Sequence, residues 1–231
     1  MTMNQRDEGK WAAALAASQL VTDDMVVGLG TGSTASLLVS ILGERVRQGL
    51  KIVAIPTSEA TRAQAEAESI PLIGFADRTR IDLTIDGADE IARGSLNLIK
   101  GGGGALLREK IVASASDSMV VIADSSKLVD RLSGGFPLPV EIVPFGWEVT
   151  IERIGERFGD VWVRRGRDGA PFVTDGGHYI VDCATGIIED VPALEQDLRS
   201  IVGVVETGLF VGLAEQAFIG GPEGVQHLRR T

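Results

Sequence analysis

Up to about residue 130, short apolar runs alternate with stretches in which apolar positions recur every three or four residues. The runs predict strands at residues 25–29, 51–55, 81–85 and 119–123, with a shorter one at 96–99. The periodic stretches predict helices at 9–20, 33–48, 59–69 and 105–115. In the second helix Leu37, Leu38, Ile41, Leu42 and Arg45 fall at helical spacing, and Thr57 or Ser58 is placed to cap the third. Strands alternating with helices imply a parallel sheet covered on both faces. The run Met119–Val120–Val121–Ile122–Ala123, apolar at every position, suits a strand buried on both sides. In such a doubly wound sheet, ligands bind beyond the carboxyl ends of the strands.

From about residue 132 the rhythm changes. Strands at 139–143, 161–164, 178–183 and 204–210 enclose helices at 146–158 and 191–201. This is the β-α-β-β-α-β order of the ferredoxin-like split motif. In the first of these helices Val149, Ile151, Ile154 and Phe158 fall on one side. Residues 164–177 form the hairpin loop. The tail carries a short helix at 214–218, and its ending, GVQHLRR, is free to return to the first sheet.

The length, 231 residues with 44% hydrophobic and 23% charged, is that of an ordinary globular chain with a sizeable core. The segment MTMNQRDEGKW has no apolar leader, and no apolar run is long enough to span a bilayer, so no membrane partner is expected. Cys183 is the only cysteine, which fits a reducing cytoplasm. His178 and His227 are the only histidines, and neither lies in a zinc-ligand or triad pattern. Proton transfer therefore falls to carboxylates, and no metal or other cofactor is expected. A net charge of −10 argues against a nucleic-acid partner. It also requires an anionic substrate to be met by local lysines or helix N-termini.

Four motifs carry the candidate chemistry. GLGTGST at 28–34 runs from a buried strand into a helix, and its glycines and the Thr31, Ser33 and Thr34 hydroxyls suit an anion. The dinucleotide reading fails because Ser33 occupies the third-glycine position and no acid follows the next strand; the nucleotide P-loop reading fails for want of Gly-Lys-Ser/Thr. A phosphate-sized anion remains. Thr57 and Ser58, with Thr61 one turn on, serve equally well as helix caps or ligands. DGADE at 86–90 sets three carboxylates at a strand end, where they can bind a divalent ion, hold sugar hydroxyls or move protons. Sugar and proton work is favoured by the absence of nearby histidine and by Lys100, expected on an adjacent strand end. KGGGGALLREK at 100–110 places Lys100 and four glycines before a helix that is apolar nearly all round. Arg108, Glu109 and Lys110 fall in the gaps, and a carboxylate buried there is costly unless paired or used.

GLGTGST, TSEAT, DGADE, KGGGGALLREK, ADSSKLVD and FPLPVEIVP, in this order and spacing, resemble ribose-5-phosphate isomerase of type A. The resemblance runs from about Trp11 to GPEGV near the C-terminus, and DGADE with KGGGGALLREK is its most specific part. It implies an α/β fold: a Rossmann-like, doubly wound, mostly parallel sheet at 1–131 and 207–231. Into this is inserted a ferredoxin-like α+β lid domain at 132–206. It also implies a site made of Thr31, Gly32, Ser33, Thr34, Asp86, Gly87, Ala88, Asp89, Lys100, Gly101, Gly102, Gly103 and Lys127, with Glu109 as the base. Lys10 falls where the family often has a lysine near the phosphate. Gly104 and Leu107 stand where relatives often have alanine and threonine, and His178 replaces the usual asparagine of a lid turn.

The implied reaction is the reversible conversion of D-ribose 5-phosphate to D-ribulose 5-phosphate through an enediolate. Glu109 moves the proton between C2 and C1, Lys100 and glycine N–H groups stabilise the oxyanion, and Asp86 serves ring opening and the proton shift between O1 and O2. The partner implied is a small sugar phosphate, and the assembly a homodimer. Two alternatives fare worse. A non-catalytic sugar-phosphate sensor would be joined to a DNA-binding extension that is not visible here. An aminosugar-phosphate isomerase or a sugar lactonase would lean on a histidine at a strand end of the first domain.

Overall fold

The computed structural model describes residues 5–231. The start of the segment read as lacking a leader, residues 1–4, lies outside them. The elements are, in chain order, α1 (Gln5–Ser18), β1 (Val26–Leu29), α2 (Ser33–Arg47), β2 (Val53–Pro56), α3 (Glu59–Ala67) and β3 (Leu83–Asp86). β4 (Glu90–Ala92), β5 (Leu98–Ile99), α4 (Leu106–Ser114) and β6 (Met119–Asp124) follow, then a 3-10 turn (Ser125–Lys127) and β7 (Leu128–Val129). Next come β8 (Leu138–Ile142), α5 (Trp147–Phe158), β9 (Val161–Val163), β10 (Tyr179–Cys183), α6 (Val191–Arg199) and β11 (Val204–Thr207). β12 (Leu209–Phe210), β13 (Ala214–Gly221) and β14 (Gly224–Arg229) complete the chain.

The main sheet has the order β14-β13-β6-β3-β1-β2, parallel throughout except for the β13–β14 hairpin. This is a Rossmann-like, doubly wound arrangement. The order of winding reverses between β1, which leads to β2 on one side, and β3 on the other, and ligands bind at such a switch point. β6 shows why its sequence is apolar at every position. Val120 and Ile122 pack with Ala13, Ala14 and Ala17 of α1 on one face, while Met119, Val121 and Ala123 pack with Leu98 and Phe210 on the other. Sheet residues facing two cores cannot alternate with polar ones.

The second unit is a four-stranded antiparallel sheet of order β11-β8-β10-β9, with α5 and α6 packed on it around Leu138, Val140, Ile142, Ile154 and Leu198. Its last strand lies beside its first, as the split motif requires. Val149, expected on the buried side of α5, is instead half exposed, and Trp147 joins Ile151, Ile154 and Phe158 against the core.

Three other expectations are corrected. Residues 214–218 are not a helix. They open β13, whose Ala214, Ala217 and Ile219 pack into the core beside β6, and β14 pairs with it, so GVQHLRR does return to the main sheet. The strand expected at 204–210 divides at Gly208 into β11 of the second unit and β12 of a small third sheet, β12-β5-β4-β7. A side chain at Gly208 would meet the Lys100 carbonyl oxygen at 2.3 Å; the Lys100 N–H donates to the Gly208 carbonyl at 2.8 Å and the Gly208 N–H to that of Pro139 at 2.7 Å. Only glycine permits this crossing between sheets. Finally, the strand before Lys100 is β5 of the third sheet, not a neighbour of β3 in the main one.

Candidate active site

The loops after β1, β3 and β6 converge at the switch point, and the glycine run before α4 closes the ring. They enclose a cavity of about 270 Å³. Its wall includes Thr31, Gly32, Ser33 and Thr34 from the first loop, Gly87, Ala88 and Asp89 from the second, and Lys127 from the third. Lys100, Gly101, Gly103 and Glu109 supply the rest of the expected set. Two expected residues stand off the wall. Asp86 lies fully buried behind Lys100, and Gly102 turns its N–H to Asp89 Oδ2 at 2.7 Å. Lys10 is on the wall, as are Arg6, Asp124 and Ser126, which the sequence reading passed over. Arg6 sits one helical turn before Lys10, and that i, i+4 spacing was the available signal.

The centre of the site is Lys100, only 2% exposed. Its ammonium lies 3.0 Å from Asp86 Oδ2 and 3.2 Å from Glu109 Oε1, and it donates to the Gly87 carbonyl at 2.6 Å. Asp86 Oδ1 accepts from the N–H groups of Thr31 (3.0 Å) and Gly87 (2.7 Å). Gly30 makes this possible, because a side chain there would meet Asp86 Oδ1 at 2.0 Å. The glycine of GLGTGST that looked suited to a phosphate thus makes room for a carboxylate. Glu109 is supported less well: its Oε2 is buried without a hydrogen-bond partner among the described residues.

Burial raises both carboxyls above the ordinary carboxylate range. Burial pushes Glu109 up to about 8, against the pull of Lys100. Burial also raises Asp86, opposed by Lys100 and by the Gly87 and Thr31 N–H groups. Asp86 thus has two backbone donors in addition to the shared ammonium, whereas Glu109 has the ammonium alone and lines the cavity, which places it to exchange a proton with a bound molecule. Burial disfavours the Lys100 ammonium, but Asp86 and Glu109 together more than offset it and raise its pKa.

The REK triplet sorts three charges in three directions, as consecutive positions of a helix must. Arg108 reaches Glu59 at 2.6 Å and the Asp175 carbonyl at 3.0 Å, Glu109 points to Lys100, and Lys110 sits between Glu195 and Glu206 at 2.9 Å each. The helix is not buried all round: Ile111 is 46% exposed. DGADE is likewise split, since Glu90 turns away and accepts from the Ser133, Gly135 and Phe136 N–H groups.

The first loop ends at the N-terminus of α2, where Gly32 has φ 111° and no side chain caps the helix. Gly32 and Ser33 are exposed and line the cavity, so the uncapped N-terminus of α2 there is a ready anion site. Ser58 caps α3 by accepting from Thr61 N at 3.1 Å, and Thr31 Oγ1 lies 2.7 Å from Thr57 Oγ1, 2.8 Å from Ser58 Oγ and 3.1 Å from Thr61 Oγ1. Those three hydroxyls hold Thr31 and do not themselves line the cavity. Gly104 admits the Phe172 ring of the second unit, which a side chain would meet at 2.4 Å. His178 Nδ1 lies 2.9 Å from Glu141 Oε1 in the second unit, away from the cavity wall.

The family model described as ribose 5-phosphate isomerase A (phosphoriboisomerase A) matches residues 53–224. The chain belongs to this family. A ribose-5-phosphate isomerase A of Rhodopseudomonas palustris (strain BisB18) is 56% identical over 230 residues, covering 97% of this chain and 98% of the relative. One from Gloeobacter violaceus is 55% identical over 219 residues, 95% of each chain. Among solved structures, a D-ribose-5-phosphate isomerase in complex with phospho-erythronic acid superposes with a TM-score of 0.94 at 38% identity, covering 99% of this chain and 100% of that one. The ribose 5-phosphate isomerase of Plasmodium falciparum gives 0.90 at 39% identity, covering 96% and 97%. The ribose-5-phosphate isomerase A family thus accounts for all three sheets and nearly the whole length.

Proposed function

We propose that this chain interconverts D-ribose 5-phosphate and D-ribulose 5-phosphate, moving a proton between C2 and C1 through an enediolate. The observation that carries the reading is the Lys100–Asp86–Glu109 cluster, which opens on a cavity that also holds an uncapped helix N-terminus and three further cations. Glu109 is the base. Lys100 and the N–H groups of Gly101 and Gly103 face the developing oxyanion. Asp86 works through Lys100: the ammonium reaches the ring oxygen, O1 and O2, and the buried carboxylate keeps it charged and in place. Asp89 and the Gly87–Ala88 backbone hold hydroxyls. The phosphate goes to residues 31–34, Lys127 and Lys10, and its binding energy orients the reacting carbons. The solved relative with phospho-erythronic acid supports this, since that ligand joins a phosphate to a carboxylate of enediolate-like charge. The test is direct: incubation with ribose 5-phosphate yields ribulose 5-phosphate.

The division at 131/132 and 206/207, the second cut moved to Gly208 because Thr207 still pairs with Val140, belongs to the same reading with the second unit as a lid, as does a cytoplasmic place. No described helix is long and apolar enough to cross a membrane. A homodimer is proposed on the apolar side chains of Phe145 and Val202, 93% and 78% exposed, whose segments are joined by the Val143 N–H donating to the Gly203 carbonyl at 2.9 Å. Sedimentation at the mass of two chains checks it.

Two predictions follow from the cluster's chemistry. The base must be ionised, so kcat/KM rises with pH and levels off above about 8, the pKa of Glu109 in the free protein. This limb lies roughly two units above the second ionisation of the phosphate near 6. A limb at 4–5 would describe an ordinary carboxylate and contradict the assignment. Exhaustive chelation leaves the rate unchanged, because Asp86 and Glu109 are committed to Lys100 and Asp89 to a backbone N–H. Loss of activity on chelation, with recovery on adding a divalent ion, would assign the carboxylates to a metal.

A further inference from the structure

The second unit touches the glycine run through one charged side chain. Arg164, just past the end of β9, donates from Nη1 to the carbonyl oxygens of Gly101 (2.7 Å) and Gly102 (3.1 Å). Its Nε and Nη2 hold Asp182 of β10 at 2.9 and 2.5 Å. The pair is largely shielded, with side-chain exposures of 17% and 7%. A guanidinium suits this task because its planar fork serves two acceptor groups at once.

The consequence lies in the peptide planes. A trans peptide points its N–H and C=O in opposite directions. The Gly101–Gly102 peptide is fixed at both ends, its oxygen on Arg164 and its N–H on Asp89. The Gly104 N–H closes a turn on the Gly101 carbonyl at 3.0 Å, which makes Gly102–Gly103 the middle peptide of that turn; its oxygen is on Arg164, so Arg164 turns the Gly103 N–H away from itself. Gly103 lines the cavity, Arg164 does not, and the Gly103 N–H has no partner among the described residues. Glycine at both central positions lets the middle peptide of such a turn flip, so without Arg164 this one would sample more than one orientation.

We infer that Arg164 is a positioning residue for the isomerisation: it clamps the Gly102–Gly103 peptide so that the Gly103 N–H stands ready for the charge developing on the substrate. This rests on the isomerase reading of the cavity. Because Asp182 neutralises the guanidinium, Arg164 works through geometry and not through its field. The donor is set before substrate arrives, which is what electrostatic preorganisation requires.

The test compares the native chain with Arg164→Met and Arg164→Lys, using ribose 5-phosphate across a pH series. Native protein without isomerase activity would overturn the isomerase reading, separately from this inference. With native activity present, Arg164→Met lowers kcat roughly 10–100-fold, the scale of a misplaced catalytic group. KM stays within about threefold, and the pH limb near 8 is unmoved because Glu109 is untouched. A kcat within twofold of native, or a change confined to KM, overturns the role. Should Arg164→Met fail to fold, Arg164→Lys carries the test: one ammonium cannot serve both Asp182 and the two carbonyls, and kcat falls at least about tenfold. Native kcat in folded Arg164→Lys refutes the clamp. Misfolding of both variants assigns Arg164 to holding the fold and equally overturns it.

Discussion

Glu109→Gln lowers kcat by about 10²–10⁴-fold while leaving the fold and KM nearly intact. The amide fills the carboxylate's space in α4 but cannot accept the C2 proton. The range is that of a positioned general base, so the remaining acceleration is assigned to the phosphate contacts and the oxyanion donors. A second readout accompanies it. Folding raises Glu109 from 4.5 to about 8, so the folded chain binds the extra proton between these values and native stability falls as pH rises through that window. Glu109→Gln removes this loss, and its melting temperature relative to native climbs from pH 5 to pH 9. A variant that retains a third of native turnover would remove Glu109 from the role of base.

Lys100→Met has the next largest effect. The substitution keeps the stem and removes the ammonium that lies between Asp86 and Glu109 at 3.0 and 3.2 Å. If Lys100 only drew an anionic substrate toward a chain of net charge −10, saturation would restore turnover. As an oxyanion stabiliser, its loss depresses kcat at saturation by on the order of 10²-fold. Removing the cation also leaves two buried carboxyls facing one another, so Glu109 titrates still higher and the pH limb moves up. Michaelis–Menten curves at low and high salt, repeated across pH, separate the cases. A raised KM with normal kcat and an unmoved limb would leave Lys100 as a binding residue only.

What could be read from the sequence follows a physical divide. Elements whose burial is written in their own periodicity were legible: the fully apolar β6, the amphipathic α2, and the split-motif order of the second unit. The site was legible where glycines and charges violate local expectation, as in GLGTGST and KGGGGALLREK. What escaped depends on partners far along the chain. Residues 214–218 carry a pattern that serves helix or strand, and only parallel pairing with β6 decides it. The break at Gly208 reflects contact with Lys100 and Pro139, more than 60 residues away in sequence. Glu90 looked like a third site carboxylate because adjacency in sequence was mistaken for adjacency in space; strand alternation sends it to the 133–136 loop. Arg164 gave no local signal at all, since its acceptors are backbone carbonyls of another unit.

The central claim is that a carboxylate, Glu109, carries the proton between C2 and C1. Isomerisation in D₂O, followed by NMR of the recovered sugar phosphates, tests it most directly. A carboxylate that picks up the C2 proton exchanges it with solvent in some turnovers. Deuterium is therefore expected at C1 of ribulose 5-phosphate and at C2 of ribose 5-phosphate with the native chain, at a rate that falls in parallel with kcat in Glu109→Gln. Complete retention of the original hydrogen over many turnovers would indicate direct hydride transfer and contradict the account.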